Sequence, residues 1–124
     1  MTATNLLKKQ HQEVKSLFRR VQKTEDTEAR HDLRKEIINN LTVHAKIEEE
    51  IFYPAVRGIG TEKAKDLVLE AYEEHHADEE EKDMFPLAQK LGEAQLEAVG
   101  ERMAARVEAF TGQAAEPAGR GRRR

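Results

Sequence analysis

Any chemistry in this chain must work with five histidines, 24 acidic residues and no cysteine. Without thiolates, disulfides and iron–sulfur clusters are excluded, and a bound metal has to be held by imidazole and carboxylate. The histidines sit in a pattern. Residues 44–54 read HAKIEEEIFYP and residues 76–86 read HADEEEKDMFP. His, Ala, two glutamates and Pro fall at the same offsets, with an aromatic residue before each Pro. In each copy a His and a Glu stand four apart, which places them one turn apart on one face of a helix. Such a pair can approach one metal ion from a single direction. Imidazole with carboxylate suits iron, manganese or zinc, and suits calcium or magnesium less well.

Acid-rich helices produce His-x-x-x-Glu often, as a solvated surface ion pair. Three features lift these pairs above that reading. The spacing recurs inside a longer repeat. His44 and Glu48 fall on an apolar face, where an unpaired carboxylate is costly. His11 falls in the middle of the apolar face of another segment. His31, between Arg30 and Asp32, reads as solvent-exposed.

The elements that must position these residues are helices. Charged residues make up 36% of the 124 and aromatics 5%, with no Trp, which suits a helical bundle better than a β-sandwich. Leu7, His11, Val14, Phe18 and Val21 step by four and three and predict a first helix from about Asn5, capped by Thr2 or Thr4. Thr24–Thr27 reads as a turn ending in a cap. A second helix is expected from Glu28 to Tyr53, with Leu33, Ile37, Leu41, His44, Glu48 and Ile51 on one face and Pro54 ending it. Thr61 caps a third helix whose apolar face holds Ala64, Val68, Ala71, Tyr72, His75 and Glu79. No Gly or Pro interrupts Thr61–Phe85, so this helix is expected to run unbroken to about Leu91, kinked at Pro86 and stopped by Gly92. A last helix, Glu93–Phe110, carries Leu96, Val99, Met103, Val107 and Phe110 and is weakened by Gly100.

The domain is therefore residues 1–111. Residues 112–124 read as a disordered basic tail, with four Arg against one Glu. Removing the tail leaves a body with 17 basic and 23 acidic residues, which does not resemble a nucleic-acid reader. No apolar run reaches membrane-spanning length and the N-terminus has no signal-peptide core, so a soluble cytoplasmic protein without membrane or nucleic-acid partners is expected.

The motifs, in their order along the chain, resemble those of the hemerythrin-like (HHE cation-binding) family. LLKKQHQEVKSLF is similar to that family's first-helix signature, with His11 as ligand. LTVHAKIEEEIFYP is similar to the second, with His44 and Glu48. AYEEH is similar to the third, with His75, and HADEEEKDMFP to the fourth, with His76 and Glu80. The resemblance covers nearly all of residues 4–110. It implies an up-down four-helix bundle in which histidines and two bridging carboxylates hold two irons that bind dioxygen, or sense oxygen, nitric oxide or iron. It implies binding or sensing in place of catalytic turnover.

The chain departs from that pattern where His75 and His76 stand side by side. Neighbours on a helix point about 100° apart. A swapped homodimer, with the long fused third helix serving as fourth helix of a partner, would bring His76 and Glu80 to His11, His44, Glu48 and His75 of the other chain. Within one chain, the last helix would be the fourth member, and the site would be His11, His44 and Glu48 with either His75 and Glu79 or His76 and Glu80. Two other functions stand beside the di-iron reading. A ferritin-like oxidase wants Glu-x-x-His on two helices, and only Glu73-x-x-His76 fits. A metal-free or zinc-binding helical dimerisation module would carry the same motifs as a remnant.

Overall fold

A computed structural model describes residues 1–73 and 77–115, the side chains of Glu73 and of residues 111–115 excepted. Its regular structure is helix, and no strand occurs among the described residues. Helix α1 spans Ala3–Lys23. The Thr2 hydroxyl accepts the Asn5 N–H at 3.4 Å, and Arg20 and Lys23 sit in the last turn, where cations complement the helix dipole. Asp26 caps α2, Thr27–Ile47, by accepting the Ala29 N–H at 2.8 Å. A connection of three residues lays α2 back along α1.

Pro54 does not end the second helix. The chain passes from α2 into a π-helical turn, Glu48–Phe52, and continues as α3, Tyr53–Arg57. A proline in a helix lacks an N–H and crowds the carbonyl four residues back. Here the Tyr53 N–H bonds to the Glu48 carbonyl, five residues back, and this wider turn makes room for the ring. The second repeat does the same. Helix α5, Ala77–Glu79, leads into a π turn, Glu80–Met84, and on to α6, Phe85–Ala88, which contains Pro86. The Phe85 N–H bonds to the Glu80 carbonyl. A 3-10 turn, Gln89–Leu91, then stops at Gly92, whose positive φ of 88° is a backbone conformation that glycine adopts without strain.

The unbroken helix expected from Thr61 to Leu91 is not formed. Helix α4, Glu62–Glu73, is capped by the Thr61 hydroxyl, which accepts the Ala64 N–H at 3.1 Å. The π turn Glu80–Met84 packs back against α4. In one continuous helix Glu73 and Glu80 would stand about 10 Å apart along the axis. Ala64 and Val68 instead share a core with Met84, Phe85, Leu87 and Ala88, and such tertiary packing outweighs helix propensity. His75 and His76 lie outside the described residues.

Helix α7, Glu93–Ala115, packs on α1, on α2 and on the first π turn, and reaches four residues beyond Thr111. Gly100 lies under the N-terminus of the chain. A Cβ there would stand 2.1 Å from the Met1 carbonyl oxygen and 2.7 Å from the Ala3 nitrogen, so the expected weak point of α7 is where α1 is allowed to dock. The main core joins Ala3 and Leu7 to Ile47, Phe52, Tyr53, Val56, Leu96, Val99 and Met103. A second, small cluster of Leu17, Leu33 and Ile37 holds the far end of α1 against α2. That end is covered on one side only. Phe18 is 46% exposed and Leu17 is buried in its place, and Leu41 is 43% exposed despite lying on the expected face. A stripe that faces a single neighbour is narrower than the one a heptad spacing describes.

Candidate metal centre

His11 from the middle of α1, His44 from the last turn of α2, and Glu48 and Glu80 from the first residues of the two π turns converge in the interior. All four side chains are buried, and one ligand atom from each lies within 4.8 Å of the others. His11 Nε2 is 3.2 Å from Glu80 Oε1, His44 Nε2 is 3.2 Å from Glu48 Oε2, and the two Nε2 atoms are 3.2 Å apart. Two imidazole nitrogens and two carboxylate oxygens facing one point, away from bulk water, are a donor set for iron, manganese or zinc. The residues therefore fit the ion that the motifs imply.

The outer edges of the ligands are also held. His44 Nδ1 faces Gln10 Oε1 at 2.7 Å, and His11 Nδ1 faces Glu81 Oε2 at 2.5 Å. Each acceptor draws the ring proton to Nδ1 and turns the Nε2 lone pair toward the centre. The Tyr53 hydroxyl lies between the two carboxylates, 3.1 Å from Glu48 Oε1 and 3.0 Å from Glu80 Oε2. It has one proton to donate, so one of the two carboxylates receives it at a time.

The protein without metal keeps protons here. Burial pushes the Glu48 carboxyl well above its ordinary value, and the neighbouring Glu80 pushes it further. Burial pulls His11 down, but its contacts with Glu80 and Glu81 outweigh that and raise it overall. A metal ion entering this cluster must displace those protons.

The single-chain arrangement brings Glu80 to the cluster from its own chain, and Glu79 is exposed. His31 is exposed as expected. Tyr53, Gln10 and Glu81 were not singled out from the sequence. Tyr53 was visible only as the aromatic before Pro54, Gln10 as the neighbour of His11, and Glu81 as one glutamate in an acidic run. A cavity of about 220 Å³ opens between α2 and α4, lined by Leu41, Ala45 and Ala71 and reaching His44, Glu48 and Tyr53.

Comparison with known proteins agrees with this centre. The hemerythrin HHE cation-binding domain matches residues 2–76. The uncharacterized protein Rv2633c of Mycobacterium tuberculosis and the uncharacterized protein Mb2666c of Mycobacterium bovis are each 32% identical to this chain over 143 positions, covering 90% of this chain and 89% of the relative. Because 90% of this chain is about 112 residues, roughly 30 of those positions have no counterpart here. The crystal structure of a hemerythrin HHE cation-binding domain-containing protein from Mycobacterium kansasii, an Rv2633c homolog, superposes with a TM-score of 0.73 at 31% identity, over 93% of this chain and 90% of that one. With the motif order, the helical fold and the buried His/Glu cluster all in place, this chain belongs to the hemerythrin HHE cation-binding domain family.

Proposed function

We propose that this chain binds iron at His11, His44, Glu48 and Glu80 and uses it to bind or sense a small gas, dioxygen or nitric oxide. The observation that carries this reading is the convergence of four buried donors, with both imidazoles braced from behind. Iron, when bound, supplies an ion that exchanges electrons and accepts a diatomic ligand; manganese or zinc satisfies the same donors without serving that role equally. The four donors suffice for one ion. The second iron that the family resemblance implies would draw on His75 and His76 as further ligands. The protein's own part is to hold the ion dry and oriented. The cavity beside His44 supports a small neutral ligand, because Leu41, Ala45 and Ala71 offer it apolar walls on the way to the donors.

The homodimer expected from the sequence is part of this proposal. Glu80 reaches the cluster within one chain, and the exposed Phe18, Ile38 and Leu41 offer a second copy apolar surface to cover. The test is anaerobic loading with ferrous iron, desalting, a count of iron per chain and a measurement of mass in solution, followed by exposure to dioxygen and to nitric oxide under visible absorption. One or two irons per chain and a new absorption band with either gas are expected. No retained iron overturns the metal reading, and retained iron without a gas response overturns the ligand reading. A loaded monomer removes the homodimer.

A further inference from the structure

The two histidines of the centre are braced by chemically different groups. The His11 ring is gripped on both nitrogens by consecutive residues of one π turn, with Glu80 Oε1 3.2 Å from Nε2 and Glu81 Oε2 2.5 Å from Nδ1. The His44 ring is gripped by Glu48 at Nε2 and by the neutral Gln10 amide at Nδ1. The residue of the first repeat that corresponds to Glu81 is Glu49, which is exposed and offers its backbone carbonyl to the Tyr72 hydroxyl at 3.2 Å. The repeat therefore specifies the ligand glutamates equally but supplies a charged brace in the second copy only.

We propose that Glu81 is a positioning residue that acts through His11, fixing its tautomer and making it the stronger of the two imidazole donors, so that the centre favours the more highly charged state of a redox-active ion. This rests on the metal-binding reading above. A carboxylate accepts and does not donate, so it holds the ring proton on Nδ1 and commits Nε2 to the metal. A carboxylate partner also raises the basicity of the ligand it holds, whereas an amide orients its ligand without adding charge. The Glu81 side chain is 30% exposed, so it is replaceable without opening a hole in the core.

The experiment compares the unaltered protein with Glu81→Gln, which keeps the acceptor shape and removes the charge, and with Gln10→Glu, which gives His44 the brace that His11 has. Two readouts are used: the affinity for Co(II), from its visible bands, and the midpoint potential of the iron-loaded protein. Glu81→Gln is expected to retain the same number of ions per chain, to weaken Co(II) by roughly 10- to 100-fold, and to raise the potential. Gln10→Glu is expected to move the potential the opposite way. Affinity within twofold of the unaltered protein and an unmoved potential in Glu81→Gln would reduce Glu81 to a surface ion pair and overturn the proposal. If the unaltered protein binds no Co(II), the metal reading fails first and this inference with it, an outcome distinct from loading that is indifferent to Glu81.

Discussion

The two copies of the repeat share a backbone device and differ in what surrounds it. In both, a π turn begins at the ligand glutamate and ends just before an aromatic residue and a proline. In the first copy the turn lies mid-helix, with α2 before it and α7 packed on it. In the second, it follows α5 and packs on α4. The device survives this change of setting because the proline imposes it locally: a missing N–H and a crowded carbonyl are properties of four or five residues. The supporting contacts do not survive, because each joins residues that lie on different elements. Gln10 braces one histidine and Glu81 the other, and Glu50 is drawn out to Arg106 at 2.9 Å on the surface.

The largest expected effect tests whether the copies are equal as ligands. Glu48→Gln and Glu80→Gln each remove one anionic donor from the same four. Both should lose more iron affinity than the roughly 100-fold upper range for an outer partner. Titration of each variant with ferrous iron checks this. Full retention by Glu80→Gln alone would show that the second copy is scaffold and the first carries the ion with other ligands.

A smaller effect is expected when the backbone device itself is removed. Pro54→Ala and Pro86→Ala restore an N–H and relieve the crowding that favours the π turn. If the turn relaxes to α-helix, the side chains on its two sides rotate relative to one another, by about 100° for each residue absorbed. Helix content should hold while iron affinity falls by about an order of magnitude, the scale of a misplaced support. Circular dichroism with an iron titration reads both. Equal affinity in both proline variants would mean that the ligand positions are set by packing and not by the prolines.

How much of this was legible in advance follows from the same division. The helices, the caps at Thr2 and Thr61, the buried His11, His44 and Glu48, and the core positions Leu96, Val99 and Met103 rest on periodicity and capping, which act within a few residues. The passage through Pro54 was hidden because proline is read as a stop unless a wider turn is anticipated. The packing of the second repeat on α4 was hidden because no Gly or Pro stands between them; Val68 shares one core with Met84 and Phe85. Gln10, Glu81 and Tyr53 were hidden for the reason that their partners are 34, 70 and 27 residues away along the chain. The same holds for Gly100, whose purpose is the passage of Met1–Ala3 across it.

The smallest effect concerns protons and separates the metal-free centre from the loaded one. Glu48 and His11 both bind protons more tightly in the folded protein than their ordinary values of 4.5 and 6.5. For a group raised on folding, the stabilising proton is fully present below the unfolded value and is lost as the pH climbs through the folded value. The metal-free protein should thus become less stable as the pH rises above the ordinary value of Glu48 and then above that of His11. Tyr53 softens this loss by donating to the carboxylate that ionises first, so Tyr53→Phe should steepen it and cost about 1–3 kcal/mol through the buried acceptors it deserts. Bound metal reverses the sign, since it takes the place of those protons and is itself displaced as the pH falls toward the histidine range. Thermal melts in chelator and in excess ferrous iron across that range read both slopes. A melting temperature in chelator that rises with pH would mean that the folded protein holds fewer protons than the unfolded chain, and that the centre does not keep its protons without metal.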